Sequence, residues 1–198
     1  MNCFGSTGMT TGMRPNFKIP PKVATQAALI KVLLMDVDGV MTDGRHFYVS
    51  GSDGQPFETK CFYSQDGLGL HMWHAAGFIS GLISGRRSPA VAEYARVMRI
   101  RYVFQGNLDK KGVYEEILAD AGVAPEQVAF VGDDFIDVSL MRRSGLGVAV
   151  ANGRPEVIAA ADIVTTASGG AGAVREIIEL ILQAQGLFAD VIKKYELG

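Results

Sequence analysis

From Lys31 onward, short runs of aliphatic and β-branched residues alternate with longer stretches whose apolar positions recur every three or four residues. Short unbroken apolar runs fit strands covered on both faces. They predict strands at Val32 to Met35, Phe78 to Ile83, Tyr102 to Phe104, Val128 to Val131 and Val148 to Val150, with a short edge strand near Ile163. The periodic stretches predict helices with one apolar face each. Leu70, Trp73 and Ala76 or Gly77 form the first face, within Gly67 to Ala76; Val91, Tyr94, Ala95 and Met98 form the second. Val113, Ile117 and Leu118 form the third, and Val174, Ile177, Ile178, Ile181 and Leu182 the last, from about Gly172 to Gln185. Strands that alternate with helices make βαβ units, so the expected class is α/β, a Rossmann-like parallel sheet flanked by helices.

One stretch breaks the alternation. Residues 45–63 read as two strands, RHFYVS and PFETKCFY, joined by Gly51-Ser52-Asp53-Gly54, and Asp-Gly is a strong hairpin-turn signal. A β-hairpin is therefore expected after the first strand, with Phe47, Val49, Phe57, Thr59 and Cys61 on one face. An isolated hairpin is marginally stable in water, so this arm is expected to pack on a neighbouring copy. Residues 1–21 are rich in Gly, Thr and Pro without a period and read as a flexible leader; residues 22–198 read as one domain.

Composition narrows the class. The 198 residues are 48% hydrophobic and 20% charged, with a net charge of -2, which gives no electrostatic reason to attract nucleic acid or an anionic membrane. Cys3 and Cys61 form neither a metal-ligand spacing nor a disulfide framework. No apolar run approaches a membrane span, and the first residues lack the basic-then-apolar order of a signal peptide. The expected location is the cytoplasm.

The chemistry gathers where strands end. Val-Leu-Leu-Met runs into Asp36-Val37-Asp38-Gly39, and residues i and i+2 of an extended chain point the same way. Two carboxylates thus converge beyond a strand's carboxyl end, where ligand crevices of open α/β sheets lie. Transfer of a phosphoryl group through an aspartyl-phosphate uses such a pair, one as nucleophile and one as acid and base. Ser84, in Ile83-Ser84-Gly85-Arg86, follows another strand and offers a hydroxyl for phosphoryl oxygens. Lys110 opens the helix after the third strand, against the helix dipole, and its ammonium would balance anionic charge. Asp133 leaves the next strand in Gly132-Asp133-Asp134-Phe135-Ile136-Asp137, and Asp137 lies one turn on; oxygen ligands of this kind suit Mg²⁺. Each signal is common singly, but four in order after successive strands are not. His46, His71 and His74 lack metal spacing and read as packing or surface residues; Trp73 reads as core, and Asp43 as either a pocket wall or a turn cap.

DVDGVMTDG, SGR, DKKG and GDDFIDV, in this order, resemble the four motifs of the haloacid dehalogenase-like phosphohydrolases. The resemblance runs from about Lys31 to Gln185. With the hairpin, F-x-x-x-D-G at Phe62 to Gly67 and GGAGAVRE at Gly169 to Glu176, the chain is most similar to a capless subgroup. Those are the 3-deoxy-D-manno-octulosonate 8-phosphate (KDO 8-phosphate) phosphatases and their sialic-acid 9-phosphate relatives. The resemblance implies no separate cap domain, Asp36 as nucleophile and Asp38 as general acid and base. It also implies Mg²⁺ held by Asp36, the Asp38 carbonyl and Asp133, with Asp137 behind them, and Ser84 and Lys110 on the phosphoryl group. Arg86 and Arg175 would contact a small phosphorylated sugar acid, in a homotetramer whose hairpins narrow each other's active-site mouths. Where the subgroup commonly has a basic residue before Asp66-Gly67, this chain has Gln65.

The function implied is a Mg²⁺-dependent phosphomonoesterase of lipopolysaccharide precursor synthesis. The alternatives are a sialic-acid-type 9-phosphate phosphatase or a broader sugar-phosphate phosphatase. A phosphoacceptor receiver domain shares carboxylates and a lysine at strand ends, but its acceptor aspartate follows a middle strand, where this chain has Ser84.

Overall fold

The computed structural model describes residues 19–195. Six parallel strands, β1 (Val32–Met35), β4 (Ile79–Ser84), β5 (Tyr102–Gln105), β6 (Val128–Gly132), β7 (Leu146–Ala149) and β8 (Ile163–Val164), stand in the order β5-β4-β1-β6-β7-β8. The intervening hairpin strands are β2 (Phe47–Ser50) and β3 (Pro56–Thr59), which pair antiparallel. The helices are α1 (Pro21–Ala27), α2 (Ser64–Ala75), α3 (Pro89–Met98), α4 (Lys111–Ala121), α5 (Phe135–Met141), α6 (Pro155–Ala160), α7 (Ala173–Ala184) and α8 (Phe188–Lys193).

Alternating side chains of the central strand seed two cores. Leu33 and Met35 face one, with Val23, Leu70, Trp73, Val91, Ala95, Val174, Ile177 and Ile181 from α1, α2, α3 and α7. Val32 and Leu34 face the other, with Val113, Tyr114, Ile117, Leu140 and Val157 from α4, α5 and α6. Both faces of the sheet are covered, which is why its strands read as continuous apolar runs. Each fully buried Val, Leu or Ile contributes roughly 1.5–3 kcal/mol.

The six expected strands all form, and the class is the α/β one expected. Some boundaries shift. α1 begins at Pro21, inside the stretch read as leader; it is short, but Val23 and Ala27 are buried against α7 and the sheet. The rest of that stretch, residues 1–18, and Cys3 with it, lies outside the described residues. α2 starts at Ser64 rather than Gly67, and β3 ends at Thr59, leaving Cys61 exposed beyond the pairing. α6 and α8 carry too few periodic positions to be read from pattern. Between β1 and β4 the chain forms only the hairpin and α2, and no cap domain intervenes. Among the described residues, no helix is long and apolar enough to cross a membrane.

The order of strands decides where chemistry can occur. From β1 the chain passes to β4 and β5 on one side, then returns to β6 on the other. That reversal leaves a crevice beyond the carboxyl ends of β4, β1 and β6.

Candidate active site

The register of the three strands brings the motifs level. Met35 pairs with Leu82 on one side and Val131 on the other, so Asp36, Ser84 and Asp133 emerge at one end of the sheet. Asp36 continues the ladder, its N–H donating to the Val131 carbonyl at 3.0 Å. Beyond it the chain turns, with Met41 and Thr42 donating to the Val37 carbonyl. Val37, Val40 and Met41 are buried and pin this turn to the core, while Asp36 and Asp38 point into a pocket of about 190 Å³. Ser84, Arg86, Asp133 and Asp137 line the same pocket, with apolar Leu108 and Ile136 at its edge.

Two glycine features make the turn possible. Gly39 has φ +108°, a conformation disfavoured for side-chain-bearing residues, and a Cβ there would overlap the Asp133 carboxylate. The Gly169-Gly170 stretch packs directly on the same turn, Gly170 donating to the Val40 carbonyl at 2.9 Å. The Gly-rich segment is thus the floor under the catalytic turn.

Lys110, the residue before α4, is buried completely along its side chain. Its ammonium donates to Asp36 Oδ1 and, at 2.7 Å, to Asp137 Oδ1. Burial alone would lower the Lys110 pKa, but Asp36 and Asp137 outweigh it and hold the pKa above its ordinary value. The remaining Asp137 oxygen accepts from the N–H groups of Asp133 and Asp134 at 3.0 and 3.3 Å. Asp137 therefore orients both the lysine and the strand end that carries Asp133. The Ser84 hydroxyl oxygen accepts from the Arg86 N–H at 3.1 Å, which leaves its proton free to meet an anion.

The donor set fits a hard divalent cation. Asp36, Asp133 and Asp137 each offer an oxygen within 4.8 Å of the others, and one ammonium, that of Lys110, contacts this trio among the described residues. Burial, then the neighbouring carboxylates Asp36, Asp137 and Asp134, push Asp133 up to about 7; burial likewise raises Asp36 despite Lys110. Carboxylates crowded to this degree need a cation or a proton, and all-oxygen ligation is the chemistry of Mg²⁺.

Not every expected residue meets the pocket. Arg86 does, but its guanidinium is already paired with Glu58 Oε2 at 2.7 Å. Gln65 is exposed on α2 and lies outside the pocket lining. Arg175 is also outside it; its side chain pairs with Glu179 and its N–H donates to the buried Asp66 at 2.7 Å. Asp43 caps a turn, accepting from the Arg45 N–H at 3.0 Å. His74 bonds Ser80, His46 stands 3.7 Å from Glu58, and Trp73 is core.

Two charged residues of the hairpin were not singled out from sequence. Lys60, its side chain fully buried, donates to Asp38 Oδ1 and stands 3.2 Å from Glu58. The signal was available in the period of two: Glu58 and Lys60 share the strand face opposite Phe57 and Thr59.

The profile of the haloacid dehalogenase-like hydrolases matches residues 96–178. The chain is 42% identical over 163 residues to the 3-deoxy-D-manno-octulosonate 8-phosphate phosphatase of Yersinia pestis, covering 82% of this chain and 85% of that one. To the enzyme of the same name from Salmonella typhimurium it is 39% identical over 168 residues, 85% of this chain and 87% of that one. The structure resembles the Moraxella catarrhalis 3-deoxy-D-manno-octulosonate 8-phosphate phosphatase, solved with magnesium, phosphate and KDO, with TM-score 0.82 and 40% identity over 87% of this chain and 97% of that one.

Proposed function

The chain belongs to the haloacid dehalogenase-like hydrolases, and from that premise we propose that it hydrolyses KDO 8-phosphate to the free sugar acid and phosphate, in lipopolysaccharide precursor synthesis. One observation carries the reading: a complete set of phosphoryl-transfer groups converges in one pocket, within a chain about 40% identical to such phosphatases over most of its length.

Asp36 Oδ attacks phosphorus, and the bond from phosphorus to the sugar oxygen breaks. Asp38 gives its proton to that oxygen, then takes one from the water that hydrolyses the aspartyl-phosphate. Lys110 opposes the charge on Asp36 and on the transferring group, and Ser84 donates to a phosphoryl oxygen. Asp36, Asp133 and the Asp38 carbonyl would hold Mg²⁺, with Asp137 behind them. When bound, Mg²⁺ neutralises charge between the carboxylates and the phosphoryl oxygens.

Arg86 is the residue of this chain's pocket suited to the sugar carboxylate. Gln65 and Arg175 would meet substrate only at a neighbouring copy's mouth. Exposed Phe47, Val49 and Phe57 on the outer hairpin face support a homotetramer built through the hairpins. We place the enzyme in the cytoplasm, in keeping with two cysteines that form no disulfide framework.

The test is phosphate release with Mg²⁺ from KDO 8-phosphate, a sialic-acid 9-phosphate and neutral sugar phosphates, with Asp36→Asn as control. KDO 8-phosphate is expected to be strongly preferred and the variant to be inactive. Preference for another substrate overturns the specificity; near-wild-type turnover in Asp36→Asn overturns the mechanism.

A further inference from the structure

The hairpin has two unlike faces. Phe47, Val49, Phe57 and Thr59 share the outer one, while the register pairs Tyr48 with Glu58 on the inner one and sets Lys60 two residues further along. From that inner face a series of ion pairs leads into the pocket. The Arg86 guanidinium lies 2.7 Å from Glu58 Oε2, Glu58 Oε1 lies 3.2 Å from the Lys60 ammonium, and Lys60 donates to Asp38 Oδ1.

Stability alone does not account for this lysine. Taking an ammonium out of water is costly, and a well-packed apolar residue of similar size usually stabilises as well or better. The Lys60 side chain is nevertheless wholly buried. Asp38, by contrast, stands in a turn beyond β1, and among the described residues its carboxyl makes one side-chain hydrogen bond, to Lys60.

We propose that Lys60 is a positioning residue that fixes the Asp38 carboxyl for proton transfer to the leaving oxygen, with Glu58 as its anchor. The inference rests on the phosphatase reading above. With Oδ1 committed to Lys60, Oδ2 is the oxygen left to face the substrate. As Asp36 bonds to phosphorus, the electrons of the breaking P–O bond go to the sugar oxygen, which takes the proton from Asp38 Oδ2. Asp38 remains as a carboxylate still held by Lys60. The hairpin thereby completes the acid within its own chain.

The experiment compares kcat/KM of the full-length protein with Mg²⁺ on KDO 8-phosphate, phenyl phosphate and p-nitrophenyl phosphate. This parameter ends at release of the alcohol, so hydrolysis of the aspartyl-phosphate does not enter. p-Nitrophenolate leaves without a proton, whereas phenol and the sugar need one. Lys60→Met is expected to widen the gap between p-nitrophenyl and the other two substrates by roughly tenfold or more. Lys60→Arg should close most of that gap, and Glu58→Gln should widen the p-nitrophenyl to phenyl gap to a smaller extent. If all three rates fall together in Lys60→Met, or none falls, the positioning role is overturned and the lysine is packing only. Should Lys60→Met fail to fold by circular dichroism, Glu58→Gln decides, and an unchanged gap overturns the proposal. Wild-type protein without Asp36-dependent phosphate release would instead overturn the phosphatase reading.

Discussion

Lys110→Met removes the ammonium that lies between two carboxylates. The Lys110 and Asp137 side chains are fully buried and Asp36 is 7% exposed, so water cannot replace the lost charge. Breaking a buried pair in this way costs about 3–5 kcal/mol. Two features place this site at the lower end. Asp36 is already raised to about 7 and can take a proton, and one Asp137 oxygen keeps its two backbone donors. Methionine also retains the stem beside the Phe130 ring, which lies 5.9 Å from the ammonium. A loss of about 3 kcal/mol in a chain of this size lowers Tm by roughly 6–12 °C. Thermal melts of the full chain at neutral pH, with and without Mg²⁺, measure it. Mg²⁺ should restore more of the melting temperature in the variant than it adds to wild type, and Asp137→Asn in the same chain should restore part of the loss. Phosphate release should fall by about 10²–10³. A Tm within about 2 °C of wild type, with turnover largely intact, would refute the argument that this lysine balances the trapped charge.

Three further outcomes follow from the same geometry. Gly39→Ala forces a Cβ into the Asp133 carboxylate at φ +108°; it should weaken Mg²⁺ binding in calorimetry and cut phosphate release about 10²-fold, and wild-type Mg²⁺ affinity would contradict it. Burial would raise Glu58, but Arg86 and Lys60 outweigh burial and hold it down to about 2, below the ordinary 4.5. A depressed carboxyl stabilises the fold above its ordinary pKa and loses that contribution as pH falls toward the depressed one. The Tm difference between wild type and Glu58→Gln should therefore be steady from neutral pH to about 5 and shrink between about 4.5 and 2; a difference that grows on acidification would be inconsistent with docking by this carboxylate. Val49→Asp with Phe57→Asp, both on the exposed outer hairpin face, should give a folded monomer in sedimentation velocity, and wild-type sedimentation would remove the hairpin from the assembly interface.

Much of the fold was legible along the chain because its determinants are local. Buried parallel strands must be apolar on both faces, so their runs stand out, and residues that leave such strands at the carboxyl end must meet if the sheet is parallel. Asp36, Ser84, Lys110 and Asp133 could accordingly be ordered into one site without coordinates. Short α1 and α6 escaped because one or two buried positions make no period; packing against α7 and the sheet, not intrinsic propensity, holds α1 in place.

The hairpin marks the boundary between the two kinds of information. Its apolar face was visible from alternation and suggested a partner, but alternation cannot say which face turns toward the pocket. Tertiary structure alone decided that Glu58 and Lys60 turn inward, that Arg86 meets the chain's own carboxylate, and that Arg175 and Gln65 lie outside the pocket. The sequence by itself determined which groups are available and at which strand end they emerge, through periods of two and 3.6. How charges far apart in the chain pair depends on their separation in space and on the medium between them, both of which are set only once the sheet has closed.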